Sequence, residues 1–244
     1  PGSPAEAMAG SFATDEVVAA IEEKMGLDKS LTTQFVMYVE DLFRGDMGTS
    51  WYTSNPVTKD IAQRFPATLE LITYSLLLAV IIGVFFGLAT SFRPNSIGAR
   101  LGKGYSLLAG AMPEFWIALL LIFAFYVTWD IAPAPLGRIS LSISPPKTIT
   151  GMYTIDALLT GNMRAFKSAA SQLVLPVVTL GLCYSGPIMK MTRTIMSDVV
   201  NANYVWYARA CGLPTKKVNR YVIRNGLTPV VTFIGVQYGY LFGA

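Results

Sequence analysis

Apolar residues in this chain gather in four long stretches separated by short basic segments. Leu71–Phe92 and Ser168–Met189 each run 22 residues without a formal charge, and Asn225–Ala244 runs 20. Gly104–Trp129 is no shorter and is interrupted by one charge, Glu114. A helix needs about 20 predominantly apolar residues to cross a bilayer core. Thirteen residues of Leu71–Phe92 are Leu, Ile, Val or Phe. At roughly −0.3 to −0.6 kcal/mol each near mid-membrane, they outweigh its few Thr, Ser and Tyr. The pattern predicts an all-α polytopic membrane protein with spans at about 69–92, 104–130, 171–191 and 227–244.

Residues 1–66 follow a different pattern and read as a soluble segment. Thr14 is placed to cap a helix whose first turn holds Asp15 and Glu16. Val17, Ile21 and Met25 recur at helical spacing before Gly26 stops it. A second amphipathic helix is predicted over Leu31–Phe43, with Leu31, Phe35, Val39 and Leu42 on one face. Arg44-Gly45-Asp46 ends it in a turn. Residues 47–65 read as a loop, and Pro66 suits the first turn of the next helix.

Composition agrees with the pattern: 52% of residues are hydrophobic and 14% charged, where a water-soluble domain carries about a quarter charged. The chain has no His, so chemistry that needs imidazole is excluded. Cys183 falls in a span and Cys211 in a basic loop, which speaks against a disulfide, and no metal-ligand spacing exists. No signal peptide is visible at the N-terminus. Lys and Arg counts then orient the spans. Segment 93–103 carries Arg93, Arg100 and Lys103 and no acid. The stretch from Lys190 to Arg224 carries seven basic residues against Asp198 alone. Both belong in the cytoplasm, which places 1–66 and 131–170 outside.

Within the spans, Pro113 should kink or interrupt the second helix, and Glu114 follows it directly. A carboxylate near mid-bilayer costs roughly 2.5–3.5 kcal/mol on insertion scales, so it should face protein or water. It is a group on a transport pathway, a structural partner at the kink, or a residue nearer the interface in a helix that starts late. Gln237, in the fourth span, is a second candidate pathway residue. Gly83 and Gly87 in the first span, and Gly235, Gly239 and Gly243 in the fourth, form stripes that let helix backbones approach closely. Ordinary packing within the chain is the preferred reading of these stripes over a subunit contact.

Segment 192–226 is too long for a turn. Thr192–Ala210 has a helical pattern continuing the third span, Gly212 breaks it, and a basic helical pattern resumes after Pro214. Asn225-Gly226 and Pro229 mark the return to the bilayer. The result is a helix–turn–helix along the membrane surface with a small-residue tip, Ala208, Ala210 and Gly212. Such a tip suits a groove on a partner; a basic loop on anionic lipid headgroups explains the charge equally well.

The run from Tyr204 to Pro214 (Tyr-Val-Trp-Tyr-Ala-Arg-Ala-Cys-Gly-Leu-Pro), followed by Arg224-Asn-Gly-Leu-Thr-Pro229, resembles the EAA loop of ABC importer permeases in its peptide-permease form. The general Glu-Ala-Ala falls on Trp206, Tyr207 and Ala208, so only the last Ala is kept. Gly26-Leu-Asp, Gly45 to Ser50, Pro56-Val57, Arg64 to Leu71, Pro113 to Trp116 and Leu175 to Leu182 resemble the same family in order along the chain. The likeness is to the first, B-type, permease of dipeptide/oligopeptide/nickel systems, with a type I importer (MetI-like) transmembrane fold.

The resemblance implies half of a translocation pathway, built with a second, C-type permease. Two cytoplasmic ATPase subunits that use ATP and Mg would drive it, and an external substrate-binding protein would deliver the cargo. The bacterial inner membrane is its expected location. It implies that Trp206, Tyr207, Ala208, Arg209, Ala210, Gly212, Leu213, Pro214, Lys216 and Lys217 form the coupling contact with the ATPases. It also implies about six spans in the natural protein, one before Pro1 and one after Ala244. No phosphate-binding G-x-x-x-x-G-K-[ST] loop occurs, so no catalytic residue, cofactor or metal is assigned to this chain, and nucleic acid is not an expected partner. An intramembrane enzyme using Glu114 or Asp130, and a stand-alone channel or lipid-binding scaffold, are the alternatives.

Overall fold

The computed structural model describes residues 3–10, 13–50 and 52–243; Ala244, the last residue of the predicted fourth span, lies outside them. The chain divides into two compact units, Pro1–Pro66 and Ala67–Ala244.

In the first unit, α1 (Pro4–Ala9) opens with a capping box in which Ser3 and Glu6 satisfy each other's end of the first turn. The Ser3 hydroxyl also donates to Glu22 of α2 (Asp15–Met25). Thr14 does hold the N-cap position of α2, but its side chain makes no capping bond; the acidic first turn faces the helix dipole instead. Gly26 ends α2 in the left-handed region. Ser30 caps α3 (Leu31–Phe43) through the Thr33 amide. None of the residues of α3 is buried in this chain, and Leu31, Phe35 and Leu42 stand exposed.

The segment predicted as loop up to residue 65 is helical from Val57 on, because α4 spans Val57–Phe92. Pro56 offers its carbonyl to the Lys59 and Asp60 amides, and the Thr53 hydroxyl donates to the Asp60 carboxylate in the first turn. Pro66 therefore sits inside the helix, where it removes one backbone bond, and not in its first turn.

In the second unit follow α5 (Ile97–Ala111), α6 (Glu114–Ile122), α7 (Tyr153–Leu159), α8 (Met163–Val200), α9 (Asn203–Ala210) and α10 (Thr215–Phe242). No extended strand occurs among the described residues, only a Thr49–Pro56 bridge. The predicted second span is two helices: α5 begins at Ile97, and α6 leaves it at 104° across Met112 and Pro113. A π-helical stretch, Phe123–Thr128, continues α6. Among the described residues α4 and α8 are each long and apolar enough to cross a bilayer, and the bent pair adds a third only if it is one broken span. Four were expected. The apolar part of α10 falls short because Asn225, Gln237 and two Tyr dilute it.

Helix α8 is the post on which the second unit is built. A Cβ on Gly83 of α4 would stand 2.7 Å from Ile188, and one on Gly87 2.7 Å from Thr192. On α8 itself, Gly186 admits Ala109 of α5, and Gly181 admits Leu78 of α4. Tyr105 of α5 donates to the Leu182 carbonyl or shares a proton with Ser185 at 2.6 Å. Gly235 and Gly239 differ from the expected packing within the chain: a side chain there would meet open space, and at Gly243 only the Tyr240 carbonyl.

A buried ion pair ties α4 to the chain between α6 and α8. The Glu70 side chain is 1% exposed; Arg138 donates to one carboxylate oxygen at 2.9 Å. The other oxygen accepts from the Thr154 amide and hydroxyl at 2.7 and 2.6 Å. Arg138 also donates to the Gly151 carbonyl and lies over the Tyr153 ring. Beside it, buried Asp156 accepts from the amides of Ile149, Thr150 and Gly151 and from the Thr150 hydroxyl. Burial by itself would raise the pKa of Asp156. These bonds outweigh it and hold the carboxyl below its ordinary value.

Removing one partner of a buried pair leaves an uncompensated charge, a loss of about 3–5 kcal/mol. Arg138→Met should therefore lower the thermal unfolding temperature of the solubilised protein more than the Arg138→Met/Glu70→Gln double variant does. A double variant no more stable than the single one would contradict the stated role of the carboxylate. For Asp156 the native pKa is depressed, so its contribution is complete above the usual carboxylate range and disappears as pH falls through the native value. Unfolding temperature should drop below about pH 4, and Asp156→Asn should flatten that drop while lowering stability at neutral pH.

Candidate functional site

The hairpin is built where α8 ends. The helix predicted as continuous over Thr192–Ala210 is broken at Asn201 and Ala202, and α9 starts afresh at Asn203. Three backbone bonds then close α9: Cys211 N–H to Tyr207, Gly212 N–H to Arg209 and Leu213 N–H to Ala208. The last two form a Schellman motif, with Gly212 at φ +76°. Pro214 takes the N-cap position of α10, which runs unbroken to Phe242. Asn225, Gly226 and Pro229, expected to mark the return to the bilayer, lie within this helix, and Gly226 is the point where Met196 packs against α10.

The hairpin has two faces. On the inner one, Val205, Val218 and Val222 are buried with Met196 and Val230, and Ala208 and Leu213 pack against this cluster. The same cluster takes in Val84, Leu88 and Phe92 of α4 and Ile195, Val199 and Val200 of α8. Asn225 donates to the Tyr204 hydroxyl at 3.0 Å, a further tie between α9 and α10. On the outer face Trp206 and Tyr207 are 71% and 69% exposed. Arg209, Ala210, Gly212, Pro214, Lys216 and Lys217 are exposed with them. Lys216 and Lys217 lie in the first turn of α10, which has no acid. There they oppose the helix dipole, so their charge adds nothing to the helix's own stability.

The second candidate region is the break between α5 and α6. Pro113 is the N-cap residue of α6 and is exposed. Glu114 is half-buried and lines a cavity of about 380 Å³ between α6, α8 and residues 133–137. Tyr184 of α8 lies near its carboxylate. Gln237 is buried on α10 and does not line this cavity, so the structure does not bring the three pathway candidates together. Ser171, Gln172 and Thr179 of α8 line it with Glu114. These three were not read from the sequence; Pro176 in their midst was the available signal.

Residues 71–244 match the family described as binding-protein-dependent transport system inner membrane component. Residues 1–72 match the N-terminal membrane component of the same kind of system. The chain belongs to this family. It is a membrane-spanning permease subunit of a binding-protein-dependent ABC importer, with the all-α, MetI-like fold. A probable D,D-dipeptide transport system permease protein of Escherichia coli K12 is 38% identical over 100% of this chain and 72% of its own length. A di/tripeptide transport system permease protein of Pseudomonas aeruginosa is 36% identical over 99% of this chain and 72% of its own. A glutathione transport system permease protein of Salmonella typhimurium is 32% identical over 100% of this chain and 70% of its own.

In the permease the turn at Gly212 is a backbone requirement and not a steric one, since nothing lies within 4 Å of a Cβ built there. Left-handed geometry costs a non-Gly residue roughly 1–2 kcal/mol, least for Asn. Gly212→Asn should keep ATP-driven uptake near wild type, while β-branched Gly212→Val should lower it several-fold without blocking membrane insertion. Equal uptake in the two variants, measured in the same vesicles, would remove the turn geometry from the account.

Proposed function

We propose that this permease forms half of a pathway for short peptides across the bacterial inner membrane. The second half is a C-type permease, an external binding protein delivers the peptide, and two separate ATPase subunits hydrolyse ATP with Mg at the cytoplasmic side. The hairpin, 192–226, faces the cytoplasm with 93–103, and 1–66 and 131–170 lie outside. Peptides are favoured because the named relatives carry D,D-dipeptides, di- and tripeptides and glutathione.

The observation that carries this reading is the two-faced hairpin. Its inner face is built into the ends of α4 and α8, and its outer face offers two aromatics and a cluster of cations in no recorded ion pair among the described residues. Trp206 to Lys217 on that face form the ATPase contact. The open face of α10 at Gly235 and Gly239 suits close approach by the second permease. Pro113 and Glu114 lie on the pathway, and Gln237 is a further pathway position on α10. The enzyme alternative lacks support at the cavity, where Glu114 is the one acidic or basic residue among those lining it.

Solubilised permease, expressed with the genes that accompany it, should bring down a second permease and ATPase subunits. In liposomes with the binding protein it should import dipeptide only with ATP. Replacing Trp206 and Tyr207 together with Ala should lose the ATPases and leave the second permease bound. Retention of both partners by that variant would place the contact elsewhere.

A further inference from the structure

We propose that Glu114 receives the free α-ammonium group of the passing peptide, making the permease itself selective for an unblocked amino terminus; this rests on the peptide reading above. The argument starts from charge. Glu114 stands in a cavity whose walls are mostly apolar, Phe115, Ile122, Leu175 and Leu180 among them. Glu114 is in none of the ion pairs recorded among the described residues, which include those of Arg44 and the Arg138–Glu70 bridge. The start of α6 supplies a favourable dipole. A dipole does not neutralise a carboxylate among apolar walls, and a cation brought from outside the chain would balance it.

The polar wall says which kind of cation. The Ser171 hydroxyl is already spent as a donor on the Ser168 carbonyl, and that of Thr179 on the Leu175 carbonyl. Both therefore turn only lone pairs outward. Pro176 has no N–H, so the Gln172 carbonyl one turn earlier lacks its helical donor. Gln172, Pro176, Thr179 and Glu114 line one cavity. An acceptor-rich wall around a carboxylate fits a group that only donates, with three N–H bonds to share, as an ammonium does. Apolar walls beside it fit a short peptide's side chain, and a volume of about 380 Å³ is in the range of small-ligand sites.

The test uses the assembled transporter in lipid nanodiscs without its binding protein. Binding of a radiolabelled dipeptide is compared with that of its N-acetyl form, for wild type, Glu114→Gln and Ala118→Leu. Wild type should prefer the free amine by about tenfold or more. Glu114→Gln should bind the two forms alike while still co-purifying with the ATPases, and Ala118→Leu, which fills the cavity, should weaken both. A preference that survives Glu114→Gln overturns the assignment, as does equal competition of sodium ion with the free dipeptide. Peptide import that continues with an unchanged KM in Glu114→Gln sinks this inference alone. A wild-type transporter that imports no peptide, with its binding protein present, sinks the peptide reading and this inference with it.

Discussion

Close approach to α8 is the constraint on which the second unit depends. Lipid tails are as apolar as Leu, so helices in a bilayer gain little from hiding apolar surface and must gain from packing and hydrogen bonds instead. Here that gain comes from missing side chains. Gly83 and Gly87 bring α4 against Ile188 and Thr192, Gly186 lets in α5, and Gly226 lets Met196 into α10. The polar ties follow the same logic, since Tyr105 reaches a backbone carbonyl and a Ser hydroxyl on α8 only because the backbones are close.

Local signals in the sequence were read well where they act locally. Leu31–Phe43 was legible to the residue because the apolar period, Ser30 and the Arg44-Gly45 turn agree. The break at Pro113 was legible because a Pro in an apolar run leaves few options. The start of α4 was not, since Pro66 argued for a beginning and a helix of 36 residues absorbs one lost bond easily. The signal that could have corrected it was Pro56-Val57 with Asp60 a turn later. Nothing local announces the Glu70–Arg138 bridge, whose partners are 68 residues apart.

The candidate site was legible in part for the same reason. Gly212 and Pro214 marked the turn, and the basic count marked the segment. Which side chains face inward depends on the cluster around Met196, Val205 and Val222, which draws on four helices and cannot be seen from any one of them. The cavity at Glu114 was half visible: the carboxylate stood out in an apolar run, while its wall on α8 comes from ordinary Ser, Gln and Thr that only a proline made unusual.

The inner face of the hairpin belongs to the same cluster as the ends of α4 and α8, so the three cannot move apart without opening that cluster. A displacement of the hairpin would therefore load both helices together. A loaded helix yields at its softest joint. Pro176 and Pro187 leave α8 two backbone bonds short along its length, and the nearer one to the cavity, Pro176, forms part of its wall. The same residue that leaves a carbonyl without its helical donor in the cavity wall is thus a weak point of α8, and bending there would change the shape of the cavity.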